Sequence, residues 1–210
     1  MEYTPELTDK EIEEVHNHFE ERLTLYKNRG LDFGKYRKFI LDKLSPLEGS
    51  ILELGTGTGY TTVSLAKEGY RFISIDTDEE ALKTTASRLA HENLLPNVKF
   101  YVMDATRLDF DNNSFDSVIA VNLLHHVAKI EELLSEADRV LCAKGKMVIS
   151  DFNAKGREVI DSVHNEEGRS HEHPIADRGQ IRSFFDKKGY MIEEFENTGH
   201  WILIAEEKRI

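Results

Sequence analysis

Cysteine is almost absent. Cys142 stands alone among 210 residues, so no intramolecular disulfide can form and no thiolate cluster can hold a metal. Its setting in "RVLCAKG", on the apolar side of a helix end, predicts a small buried filler and not a nucleophile. Long apolar runs are missing as well, and none approaches the roughly 20 residues of a membrane-spanning helix. The acidic start "MEYTPELTDKEIEE" has no apolar segment of the kind that directs export, so a cytoplasmic protein without a membrane partner is expected. Positive charge is in deficit: 27 Lys and Arg stand against 39 Asp and Glu, a formal net charge of −12. Such a field repels phosphate polymers, which disfavours nucleic acid and leaves small or cationic partners. Internal repeats and low-complexity linkers are lacking too, and the length suits one sizeable core, a single domain over 1–210.

What is present is a change of rhythm along the chain. "TDKE" at Thr8 to Glu11 is a capping box, and Ile12, Val15, Phe19, Leu23 and Tyr26 follow at helical spacing. A second helical pattern, Tyr36, Phe39, Ile40 and Leu44, ends at Ser45 and Pro46. These helices form an N-terminal cap over 1–45. Beyond it, the β-type runs "SILEL", "YRFISI", "VKFYVM", "DSVIAV" and "KMVIS" alternate with helical stretches near Thr61 to Lys67, Glu79 to His91 and Ile130 to Leu141. Alternation of this kind predicts βαβ units and a parallel sheet covered on both faces. It spans a core at 50–151 and then breaks. The segment 152–175 shows no clear period. In 176–210, "DRGQIRSFFDKKGY" reads as a helix, and "YMIEEFE" and "HWILIAEE" as strands joined by Asn197, Thr198 and Gly199. So short a link makes a hairpin, with the last strand antiparallel to its neighbour.

"GTGTG", Gly55 to Gly59, lies where the first run of the core gives way to a helix. Ligands of open α/β sheets bind at that edge, where glycine lets the backbone approach them closely. The dinucleotide fingerprint would need a glycine at Tyr60, so a pyrophosphate cradle and a nicotinamide dehydrogenase are the weaker alternatives. Asp76 ends the second run, in "ISIDTDEEAL", and a carboxylate there can accept both hydroxyls of a ribose. Asp104 with Ala105 ends the third run, and Asn122 the fourth, so successive strand tips offer polar groups to one crevice. Asp78 is expected to cap the helix that follows Asp76.

The ordered series "ELGTGTG", "SIDTD", "MDATRLDF", "SFDSVIAVNLLHHV" and "EADRVLCAKGKMVISDF" resembles the class I methyltransferases that use S-adenosylmethionine, over about Ser50 to Glu206. The resemblance implies a Rossmann-like, doubly wound α/β fold whose seven-stranded sheet is parallel except for an antiparallel last strand. It also implies site roles. Glu53 and the loop Gly55, Thr56, Gly57 and Gly59 would hold the methionine part, Asp76 the ribose, Thr77, Asp104 and Ala105 the adenine, and Asn122 would face the methionine end. In the cap, Tyr26 and Arg29 lie near a helix stop, and Arg29 is expected to pair with the methionine carboxylate. One departure is "AKG" at Ala143 to Gly145, where the family often has Pro-Gly-Gly.

The implied activity is methyl transfer to a small-molecule acceptor, giving S-adenosylhomocysteine. A protein or RNA methyltransferase is the alternative within the class, and a non-catalytic module that binds the cofactor is the alternative outside it. The Asn/Asp-Pro-Pro-aromatic motif of enzymes acting on nucleobase or amide nitrogens is missing, because Leu123 and Leu124 follow Asn122. His125, His126, Asp151 and His200 all fall at the same sheet edge and are candidates for a general base, with loop packing or capping as the competing roles. "SVHNEEGRSHEHPIAD" adds His164, His171 and His173 with Glu166, Glu167 and Glu172. An extended His-x-His places both imidazoles on one face, which suits zinc or iron if a third ligand joins. A substrate-recognition wall over the pocket is the stronger expectation for this segment.

Overall fold

The computed structural model describes residues 1–166 and 177–208. In chain order these form β1 (Glu2–Tyr3), α1 (Asp9–Asn28), α2 (Phe33–Leu44), β2 (Ile51–Leu54), α3 (Tyr60–Lys67), β3 (Phe72–Asp76), α4 (Glu79–His91), β4 (Val98–Val102), β5 (Phe115–Val121), α5 (Ile130–Val140), β6 (Leu141–Phe152), α6 (Ala154–Glu166), α7 (Arg178–Lys187), β7 (Tyr190–Glu196) and β8 (His200–Lys208). One sheet takes all the strands in the order β1-β4-β3-β2-β5-β6-β8-β7. From β4 through β6 neighbours run parallel, while β8 runs antiparallel to both β6 and β7. The sheet has eight strands where seven were expected. The addition is β1, which pairs antiparallel with β4, Glu2 opposite Tyr101 and Tyr3 opposite Phe100. Two residues carry no periodicity to be read.

Burial explains the strands. β2 is buried at every position, and Val118, Ile119 and Ala120 of β5 are wholly so, as expected of central parallel strands covered on both faces. One face packs on α5, through Leu133, Leu134, Ala137 and Val140, and on Phe185 of α7. The other packs on Ile40 and Leu44 of α2, Val63 and Leu65 of α3, and Leu82 and Leu89 of α4. A third cluster, Tyr26, Leu31, Phe33, Tyr36 and Val163, seals the first two helices against α6.

Local signals set the helix starts. The capping box forms, with Thr8 N donating to Glu11 Oε2 at 2.9 Å and Glu11 N to Thr8 Oγ1 at 3.3 Å. Asp78 caps α4 by accepting from Glu80 N, and Asp177 caps α7 by accepting from Gly179 N. Two expectations are corrected. The stretch after β6 is not aperiodic, because its first half is α6. Cys142 lies in β6 and not at a helix end; it is half-buried, its thiol donates to Asn113 O, and burial raises its pKa above the ordinary value. Among the described residues no helix is long and apolar enough to cross a membrane.

Candidate active site

The chain runs outward through β2, β3 and β4 and then returns to place β5 beside β2, so the crevice opens at the carboxyl ends of these strands. A cavity of about 1200 Å³ fills it. The glycine loop forms its floor. Gly55 N and Thr56 N both donate to Ile75 O, tying the loop to β3. A Cβ on Gly55 would come within 2.7 Å of Leu123, and one on Gly59 within 2.6 Å of Thr85, so these two glycines serve packing. Gly57 differs: at φ +50 a Cβ there would meet nothing within 4 Å. Its bare backbone opens on the cavity. Asp76 closes the loop, with Oδ2 accepting from Gly57 N at 2.8 Å and Oδ1 from Asp78 N at 3.0 Å.

Gly55, Thr56, Gly57, Asp76, Thr77, Asp104, Ala105 and Asn122 all line this cavity, as do Tyr26, His125, His126, Asp151 and His164. The most pointed arrangement among them is a histidine–carboxylate pair. His125 Nδ1 lies 2.7 Å from Asp151 Oδ1, and Asp151 also accepts from the backbone N–H groups of His125 and Phe152. Their side chains are 12% and 4% exposed. The 3₁₀ turn Leu124–His126 after β5 carries the histidine, and β6 carries the aspartate. Adjacent parallel strands therefore deliver the two groups to one point.

Besides Gly59, three candidates sit outside the cavity lining. Glu53 lies beneath the loop at 1% exposure, bonded to Thr62 and Ser74, because its side chain points into the sheet–helix interface. His200 is covered by Phe152 and Tyr36, at ring distances of 4.5 and 5.1 Å, and touches the site through Asn122, with Nε2 3.1 Å from Asn122 Oδ1. Burial lowers its pKa to about 4, so it is a neutral packing partner of Asn122. Arg29 caps the end of α1, beyond the helical stripe that faces the cavity.

That stripe, Glu14, Val15, His18, Phe19, Arg22 and Tyr26, places on the cavity wall an arginine that the sequence reading did not name. Arg22 donates to Tyr26 Oη at 2.6 Å. Spacing alone could have found it, since Val15, Phe19, Arg22 and Tyr26 share one helical face. Arg157, Ile160 and Asp161 of α6, also unforeseen, complete the wall beside His164. His171 and His173 lie outside the described residues, as do Glu167 and Glu172. Among the described residues no group of three or more His, Cys, Asp or Glu is placed to hold a metal. The donor set instead fits a nucleoside with a polar tail: carboxylates at β3 and β4, a bare loop between, and aromatic rings of Phe19, Phe33 and Tyr60 above.

Known proteins similar to this chain are methyltransferases. A family described as a methyltransferase domain matches residues 52–149. The demethylmenaquinone methyltransferase of Clavibacter sepedonicus is 36% identical over 111 residues, 52% of this chain and 44% of that one. A ubiquinone/menaquinone biosynthesis C-methyltransferase of Rickettsia prowazekii is 33% identical over 122 residues, 55% and 49% of the two chains. The chain thus spans about half the length of the curated relatives it matches. Among solved structures, the YcgJ protein of Bacillus subtilis superposes with a TM-score of 0.64 at 16% identity, covering 85% of this chain and 98% of that one. An S-adenosylmethionine-dependent methyltransferase from Aquifex aeolicus gives 0.62 at 17%, covering 80% and 88%. At such identities the likeness is one of fold.

Proposed function

Because the chain belongs to the class I S-adenosylmethionine-dependent methyltransferases, we propose that it methylates a small, flat acceptor bearing an acidic hydroxyl, such as a phenol or hydroquinone. The observation that carries this reading is the His125–Asp151 pair, which faces the same cavity as the Asp76 loop. Asp151 accepts from Nδ1 and so favours the tautomer whose Nε2 is basic, the arrangement that lets a histidine take a hydroxyl proton. Asp151 would then stabilise the imidazolium.

The bound cofactor supplies a methyl group already activated on a sulfonium. The protein's work is binding, alignment and exclusion of water. In this reading Asp76 accepts from the ribose hydroxyls, Thr77, Asp104 and Ala105 border the adenine, and Asn122, fixed by His200, faces the methionine end. Phe19, Tyr26, Phe33, Tyr60 and Phe152 line the rest and suit an aromatic ring. Relatives named for C-methylation in ubiquinone and menaquinone biosynthesis favour the same acceptor class. The acidic, cysteine-poor chain is assigned to the cytoplasm as one domain, with cap, cofactor core, acceptor-side wall and terminal hairpin acting together.

Incubation with methyl-labelled S-adenosylmethionine and a panel of phenols, hydroquinones, amines and carboxylic acids tests this. Label is expected on a hydroxyaromatic acceptor, with His125→Ala and Asp151→Asn lowering turnover roughly 10²- to 10⁴-fold while cofactor affinity stays put. Transfer to amines alone, or full turnover in both variants, overturns it.

A further inference from the structure

Beneath the glycine loop lies a carboxylate that the chemistry above leaves idle. Glu53, 1% exposed, has Ser74 of β3 and Ile119 of β5 as its neighbours across the sheet. Its partners are hydroxyls: Oε2 accepts from Thr62 Oγ1 and from Ser74 Oγ, each at 2.7 Å. Ser74 Oγ in turn lies 2.6 Å from Thr56 Oγ1, and Thr56 lines the cavity. Each hydroxyl has one proton to give. With Glu53 ionised, Ser74 commits its proton to the carboxylate, so Thr56 must give its own to Ser74. Thr56 Oγ1 then turns only lone pairs toward the cavity. That face suits a cation.

Among the described residues no cation is seen to balance this charge. Thr62 on α3 and Ile119 on β5 bring none, and the charged group whose field reaches Glu53 is Asp76, which opposes ionisation. Burial raises the Glu53 pKa to about 7 against the lowering pull of the Ser74 and Thr62 hydroxyls, and Asp76 adds a smaller upward push.

We infer that Glu53 is a positioning residue that ionises as the positively charged cofactor binds, its charge relayed through Ser74 and Thr56 to the cavity face of the loop. One proton leaves the carboxyl for solvent, and the cation brought by the ligand replaces it. The inference rests on the S-adenosylmethionine reading and goes beyond it in making affinity depend on a buried proton.

Calorimetric titration of the intact protein with S-adenosylmethionine, at about pH 6 and about pH 7.5 in buffers of different ionisation enthalpy, decides it. Affinity should rise about eightfold across that interval, with close to one proton released at the lower pH. Glu53→Gln should abolish both effects and Thr56→Val should diminish them. Equal affinity at both pH values, or the same proton release from Glu53→Gln, overturns the inference and leaves the cofactor reading intact. If Glu53→Gln does not fold, the native and Thr56→Val titrations decide. Absence of binding at either pH overturns the cofactor reading, and the inference with it.

Discussion

Asp76 uses one oxygen to hold Gly57 N and the other to hold Asp78 N, so a single carboxylate shapes the loop and also presents itself to the cavity. Asp76→Ala should therefore weaken S-adenosylmethionine binding by roughly 2 to 4 kcal/mol, and an unchanged dissociation constant in a folded variant would refute the role. Asp76, Asp104 and Asn122 were legible because each ends an apolar run, and the end of a parallel strand is a place that sequence can mark. The depths of Glu53 and His200 were not legible. They depend on which side chains close over them, Phe152 and Tyr36 for His200, and those contacts are set by elements remote in the chain. Arg29 lies past the helix end, where the stripe of α1 that lines the cavity no longer continues.

Among the elements, α6 was hidden by one residue. Gly156 in "NAKGREVI" looks like a helix breaker, yet it lies inside the helix because a Cβ there would collide with Gly199 O in the turn between β7 and β8. Gly199 in its turn is pressed against the Tyr36 ring, at 2.8 Å from a Cβ. Glycine at 156 is thus a condition of docking α6 and not a sign of its end. Gly156→Ala should lower stability by about 1 to 3 kcal/mol despite the better helix propensity of alanine, and a raised melting temperature would contradict the contact. α1 was plain by contrast, since its capping box and apolar stripe are both local. Its grip on α4 was not: Lys83 pairs with Glu11 at 2.6 Å, His16 stacks on His91 at 3.7 Å, and the buried Arg88 lies over the Phe19 ring while donating to Thr58 O of the glycine loop. Cap and cofactor loop are joined through that arginine.

Across the whole molecule, two buried groups set opposing pH dependences. Glu53 keeps its proton up to about 7 in the folded protein, so its contribution is present at low pH and lost as pH rises from about 4.5 toward 7. His200, neutral down to about 4, contributes fully above about 6.5, and that contribution is lost as pH falls toward 4. Between these limits the two offset one another. Glu53→Gln removes one arm, so the urea-unfolding free energy of the variant relative to the native chain should improve by about 2 kcal/mol from about pH 5 to about pH 7; a constant difference would contradict the assignment. The order of the parallel strands was readable from alternating runs and helices, whereas β1 was too short to leave a trace. That pair of residues nevertheless covers backbone with which a strand of another copy could pair. With Glu2 and Tyr3 in place, the outer edge of β4 is occupied; the opposite edge, β7, carries Glu193 and Glu196 exposed to water, and charge of that kind discourages a stranger strand. Removal of residues 1–3 should leave the fold intact but bare the β4 backbone as a template, and light scattering should register stronger concentration-dependent self-association in the shortened chain than in the chain with β1, equal behaviour contradicting a protective role.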